Sequence, residues 1–328
     1  MFYGWRIVGG AFTAQLFVVG FFTYSVSLLV APVRAEFGVS LEQVMYSLTS
    51  ATFLGLFLQP LGGFLIDRYS VRIIMITGTL LCALGLYALA ASTSITQYIL
   101  AFALTMSVSS SLVGPMSSSA VISRWFSSSR GRALGIAALG TSVGGVLIPA
   151  LISHWLGEGG WRAAVQNLSY CILLIMLPAV ILTIRSKPAD LGLSAEVGDQ
   201  AASADTEQRQ NFDMKAILST PGFWYLGLSL GLLFSAYSAV LSNLTPYAIN
   251  LGGSKEQAST LIMSVAIAGF CGKILFGMAA DKFSLKAALW VAQALVASAF
   301  LVLATEPEYL WMLVGSALLG LAAGGMLP

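Results

Sequence analysis

Few residues in this chain are equipped for chemistry, and nearly all of them stand in loops or at the ends of apolar runs. Lys273 stands inside one. It precedes Asp281 by eight residues, which on a helix rising ~1.5 Å per residue puts it ~12 Å into a hydrocarbon layer ~30 Å thick. A cation at that depth is an energetic burden and by default marks a path for an anion; the alternative is that its long stem reaches back to the interface. Lysine would meet an anion as a point charge, not as the bidentate fork of arginine. Asp67 and Asp281 each follow a glycine by four residues, with Gly63, Arg68 and Arg72 around the first and Gly277, Lys282 and Lys286 around the second. A carboxylate so placed can meet a helix amino terminus or an arginine, and a contact made in one conformation only is a gate; the alternative is that the basic residues merely anchor topology.

Other patterns fail on inspection. Gly140-Thr-Ser142-Val-Gly144 fits the serine-nucleophile elbow, but no strand precedes it and no acid shares its span. The only histidine, His154, lies twelve residues further along, roughly 18 Å away on a helix. The stretch 269–273 lacks phosphate-loop spacing. Cys82, Cys171 and Cys271 lie in apolar segments without close spacing and read as packing residues, so neither disulfides nor a metal site is expected. The reading is of a non-enzyme without cofactor or metal.

Composition sets the class. Hydrophobic residues make up 57% of 328 and charged residues 9%, against ~25% charged in a soluble chain. A net charge of +2 without basic blocks excludes nucleic acid as a partner. Ten apolar stretches are long enough to span a bilayer, at 7–32, 44–66, 73–91, 98–122, 133–156, 163–184, 223–249, 258–280, 287–304 and 309–327. They are continuous and not alternating, which means helices, and the first is too long for a cleaved signal peptide. Of the 16 basic residues, twelve fall in loops on the amino-terminal side, and only Arg34, Arg162 and Lys255 fall opposite, so the amino terminus is expected in the cytoplasm. The polar stretch beginning at 186 divides a six-span half (1–185) from a four-span half (222–328), with 186–221 as cytoplasmic linker.

The two halves repeat. Shifted by 214 residues, Pro32 meets Pro246, Gly38 meets Gly252, Ser40 meets Ser254, and Glu42-Gln43 meets Glu256-Gln257. Gly63-Phe-Leu-Ile-Asp67-Arg68-Tyr69-Ser70-Val-Arg72 then lies over Gly277-Met-Ala-Ala-Asp281-Lys282-Phe283-Ser284-Leu-Lys286. A six-helix unit repeated in the same orientation is a transporter design, two halves facing each other across a path. The same shift sets Gln59 at the position of Lys273, either as a hydrogen-bonding partner across that path or as a helix-to-helix amide contact. All 14 acidic residues lie in loops or at span ends, so no buried carboxylate is available to carry protons.

The duplicated loop resembles the signature of the major facilitator superfamily, and the resemblance covers essentially the whole chain. Tyr3-Gly4-Trp5-Arg6, Glu36-Phe37-Gly38, Arg124-Trp125-Phe126, Arg130-Gly131-Arg132-Ala133 and 187–193 are similar to its monocarboxylate and oxalate/formate branch. The resemblance implies an all-α membrane fold of two parallel-repeat halves, with six plus four helices present of an expected six plus six. Residue 328 corresponds to 114 of the first half, so about 71 residues are expected beyond it, carrying two further spans. It implies that Asp281 faces Arg130 and Arg132 at the start of span five, that Asp67 faces span eleven, and that the cation of span eight, here Lys273, binds substrate. Tyr24 and Tyr237 lie in spans that line the family's cavity, and each reads equally as ordinary packing. Ser70 and Ser284 depart from the family's glycine, and Gly269 from the aspartate the branch commonly has four residues before its cation.

The expected protein is a monomeric multi-pass carrier of the plasma membrane. It moves a small organic anion, a mono- or dicarboxylate, by alternating access, as an exchanger or facilitator in preference to a proton symporter. The alternatives are an exporter of hydrophobic, drug-like compounds, or a non-transporting membrane sensor.

Overall fold

The computed structural model describes residues 2–193, 219–280, 284–305 and 308–325. Asp281, Lys282 and most of the linker lie outside the described residues. The order is α1 (Gly4–Val19), a π-turn (Gly20–Ser25), α2 (Val26–Phe37), α3 (Leu41–Arg68), α4 (Val71–Ala90), α5 (Ile95–Leu112), α6 (Pro115–Trp125) and α7 (Arg130–Cys171). A second π-turn (Ile172–Met176) leads into α8 (Leu177–Thr183), and beyond the linker come α9 (Pro221–Asn250), α10 (Lys255–Ala280), α11 (Leu285–Ala304) and α12 (Tyr309–Gly324).

Among the described residues, 8 helical stretches are long and apolar enough to cross a bilayer. One of these, Arg130–Thr183, is 54 residues long and breaks at Gly160, where φ is 73°, so it makes two crossings. With the shorter apolar helix Tyr309–Gly324 the count reaches ten, six before the linker and four after. The chain is a multi-pass integral membrane protein.

The structure departs from the expected spans in its interruptions. Span four, expected as one helix, is two: Pro115 opens α6, having no N–H to continue the α5 ladder, and Ser117 donates to the Leu112 carbonyl that the break leaves open (2.8 Å). Span one widens through the turn Gly20–Ser25, where Ser25 donates back to the Gly20 carbonyl (2.8 Å). The loop expected at 157–162 is helical apart from Gly160. Cys271, expected to pack, is exposed on α10, whereas Cys82 is buried.

The sequence repeat is also a repeat of local geometry. Ser40 and Gln43 form a reciprocal capping box at the start of α3, with bonds of 2.9 and 3.3 Å. Ser254 and Gln257 form the same box at the start of α10, with bonds of 2.9 and 3.2 Å. Each box follows a glycine at positive φ, 63° at Gly38 and 86° at Gly252.

Contacts divide the chain into two compact units. One holds Met1–Phe126 with Ile136–Ala195, and the other Ser127–Gly135 with Glu196–Pro328. In the first, α3 and α5 pack closely enough that Ser107 donates to the Ala51 carbonyl across the interface (2.7 Å). In the second, α10 and α12 meet through glycines, Gly272 against the Leu321 backbone and Gly320 against that of Val265. Such small residues give membrane helices the van der Waals contact that apolar burial alone cannot supply in lipid.

Candidate functional site

Lys273 lies on α10 and is 4% exposed. Its burial follows from its neighbours within the second unit. Gly324 of α12 packs against the Lys273 amide on one side, and on the other a methyl built at Gly135 would stand 3.0 Å from the Lys273 carbonyl oxygen. Backbones this close leave little of the lysine stem uncovered, so the stem is not laid along the outer surface of the helix. One turn further on, a methyl at Gly277 would lie 3.2 Å from the Gly135 Cα and 3.3 Å from the Gly131 carbonyl oxygen. The start of α7, which carries Arg130 and Arg132, is thereby seated against the end of α10 that leads to Asp281. Both arginines are exposed.

The first unit contains Gln59, exposed on α3 in the wall of a cleft of about 390 Å³ between α3 and α5. Gln59 makes no hydrogen bond to another described residue. Tyr24 lies in the π-turn of span one, its ring 3.1 Å from where a methyl on Gly145 would stand. Tyr237 of α9 packs against the cluster formed by Leu244, Ala248, Leu261, Val265, Leu303 and Met312. Both tyrosines are half-buried and packed.

In the first signature loop, Gly63 meets the Met116 side chain, Asp67 is exposed, and the Arg68 guanidinium lies over the Phe64 ring at 5.0 Å. Arg72 donates to the Ile181 carbonyl at the end of α8 (3.1 Å). Its backbone amide donates to the Ser186 hydroxyl (3.2 Å), which also pairs with Ser70 (2.7 Å). The serine at the family's glycine position therefore ties the loop to the end of the six-helix half. Arg124 caps α3 in the same manner, at the Ile66 carbonyl (2.8 Å). In the second loop Lys286 lies 5.3 Å from the centre of the Trp290 ring.

Sequence reasoning missed a clasp at the opposite end of the first unit. Arg162 donates twice to Glu36 Oε1, from Nε at 3.0 Å and from Nη2 at 2.6 Å, and stacks over the Trp161 ring at 4.5 Å. Trp161 donates to the other carboxylate oxygen, while Arg162 also reaches the Ala90 carbonyl at the end of α4. Trp161 in turn meets Tyr98 of α5, ring centres 5.6 Å apart. The Arg162 guanidinium holds the Glu36 carboxyl below the usual carboxylate range; partial burial opposes this, and the Trp161 bond reinforces it. The available signal was that Arg162 is one of three basic residues on that side.

Comparison with known proteins agrees with this architecture. The family model of the Major Facilitator Superfamily matches residues 11–328. The riboflavin transporter MCH5 of Saccharomyces cerevisiae is 30% identical over 241 residues, 68% of this chain and 44% of that protein. An agnestins efflux protein of Paecilomyces divaricatus is 28% identical over 222 residues, 68% of this chain and 47% of its own. Monocarboxylate transporter 12-B of Danio rerio is 25% identical over 314 residues, 87% of this chain and 63% of that one. The chain thus spans about half to three fifths of the length of these relatives. Among solved structures, the proton:xylose symporter XylE superposes with a TM-score of 0.79 at 17% identity, covering 99% of this chain and 81% of its own. The duplicated loops, the paired capping boxes, the ten crossings and these matches agree on one assignment: the chain belongs to the Major Facilitator Superfamily.

Proposed function

We propose that the protein is a secondary carrier of small organic anions, mono- or dicarboxylates, and that Lys273 meets the anion's charge. The observation that carries this reading is a lysine 4% exposed inside a membrane-spanning helix. A buried cation is retained at a cost that a visiting anion offsets. Gln59, Tyr24 and Tyr237 are the accompanying candidates. Alternating access by the two halves, 1–185 and 222–328 joined by 186–221, fits the repeat. Asp281 with Arg130 and Arg132, and Asp67 with its own loop, would close the cytoplasmic side; the seat of Gly277 on Gly131 and Gly135 supports the first of these. The distribution of basic residues supports a cytoplasmic amino terminus, and a monomer in the plasma membrane is part of the same reading.

The test is uptake by proteoliposomes of radiolabelled acetate, lactate, oxalate and succinate, with the corresponding neutral amides as controls. Uptake of at least one acid and of none of its amides is expected. Uptake of amides and acids alike would remove the anion reading. A second reading, export of hydrophobic compounds, is favoured by relatives named as efflux proteins, and under it Lys273 is structural.

A further inference from the structure

Three helices of the second unit meet at one residue of α10. A methyl on Gly135 of α7 would stand 3.0 Å from the Lys273 carbonyl oxygen, and one on Gly324 of α12 would stand 2.6 Å from the Gly272 Cα and closer still to the Lys273 nitrogen. Gly272 in turn lies against the Leu321 carbonyl of α12. Carbon contacts are favourable only from ~3.5 Å, so a hydrogen atom is the largest group that fits at these positions without a shift. The Lys273 backbone is stopped on both sides, at its amide by α12 and at its carbonyl by α7. The residue is 4% exposed, so its stem is confined as well, and a backbone shift is passed on to the ammonium group instead of being absorbed by rotation. The fold by itself does not ask for this closeness. In the six-helix half the repeat sets Leu58 at the position of Gly272 and Ser110 at that of Gly324, and α3 and α5 still pack, with Ser107 bonded to the Ala51 carbonyl.

We propose that Gly135 and Gly324 are positioning residues for Lys273: the two close approaches fix where its ammonium group meets a carboxylate, and with it the affinity for the anion. This deepens the carrier reading and rests on it. In a site whose charge is held in place, a misplacement of ~1 Å can cost about 100-fold. The methyl of Gly135→Ala asks the Lys273 carbonyl to give by a few tenths of an ångström, whereas that of Gly324→Ala overlaps backbone that has no room to retreat. The second substitution should therefore displace the ammonium group further than the first.

The test is the KM and kcat of carboxylate uptake by proteoliposomes, measured beside the unfolding midpoint of each variant. Gly135→Ala should raise KM about five-fold and Gly324→Ala about ten-fold, with kcat held within about two-fold. If Gly324→Ala does not fold, Gly135→Ala decides alone. Gly320→Ala is the control for packing as such. Its methyl would overlap the Val265 backbone in the same α10–α12 contact, eight residues or ~12 Å before Lys273. It should lower the unfolding midpoint as much as Gly324→Ala does while leaving KM within about two-fold. In a Lys273→Ala background, Gly135→Ala should change uptake less than about two-fold, because the group it displaces is gone. An unchanged KM in folded Gly135→Ala, an equal rise in Gly320→Ala, or a full effect of Gly135→Ala without the lysine each overturns the positioning role. Uptake undiminished in Lys273→Ala removes the anion reading itself, an outcome distinct from impaired Lys273→Ala with unmoved glycine variants, which strikes the positioning role alone.

Discussion

A buried lysine and a clasped glutamate frame what single residues contribute. Lys273 was legible because a charge inside a long apolar run is rare enough to stand out without a structure, and Gln59 because the repeat projects one position onto the other. The Glu36–Arg162 clasp was not legible. Its partners are 126 residues apart, and nothing local in either sequence announces the other. The clasp carries a pH prediction. Because the Glu36 carboxyl is held below its ordinary range, its stabilisation is present above the unfolded carboxylate value and is lost as pH falls through the folded one. Thermal unfolding in detergent, followed from pH 7 down to pH 3, should show a midpoint that falls more steeply for the native protein than for Glu36→Gln. The variant should be the less stable of the two at pH 7. Identical pH profiles would mean that the clasp contributes nothing. Its contribution is kept small by solvent, since the two side chains are 35% and 40% exposed.

Helices were legible as apolar runs, but their interruptions were not, because each depends on one or two residues whose effect is set by what packs nearby. Pro115 was visible in the sequence; that it divides span four depends on Ser117 satisfying the freed carbonyl. Gly160 turns one continuous helix into two crossings by adopting a φ of 73°, with nothing within 4 Å of where a side chain would begin. Gly160→Ala should therefore destabilise by about 1–3 kcal/mol through backbone strain alone. Gly157→Ala, equally uncrowded and without positive φ, should be neutral or slightly stabilising. Equal effects of the two in a thermal-shift measurement would contradict this origin of the turn. At Gly277 the constraint is steric, and Gly277→Val should separate α10 from the start of α7, lowering the unfolding midpoint more than Gly277→Ala does.

On the scale of the molecule, the 214-residue repeat made the architecture readable before any coordinates, since it is a global property that survives local surprises. The unit boundary was less readable. Ser127–Gly135 precedes the linker by about fifty residues yet groups with the second unit, because its glycines let the start of α7 seat against α10. Topology is testable here by single cysteines in a cysteine-free background. Glu158→Cys should react in intact cells with a membrane-impermeant thiol reagent, and Ser128→Cys only after permeabilisation. The reverse pattern would turn the molecule over. Neutralising Asp281 to asparagine should raise leak or slow turnover while leaving the protein folded, and unchanged transport would remove the gate.

The measurement that bears most directly on the account is carboxylate uptake by purified Lys273→Ala and Lys273→Arg, each first checked for a monodisperse, thermally cooperative fold. Loss of this buried cation should cut kcat/KM about 100-fold in the alanine variant, the equivalent of ~3 kcal/mol for a desolvated charge contact. The arginine variant should keep a measurable part of the uptake. Undiminished uptake by a folded Lys273→Ala protein would contradict the claim that this lysine meets the substrate's charge.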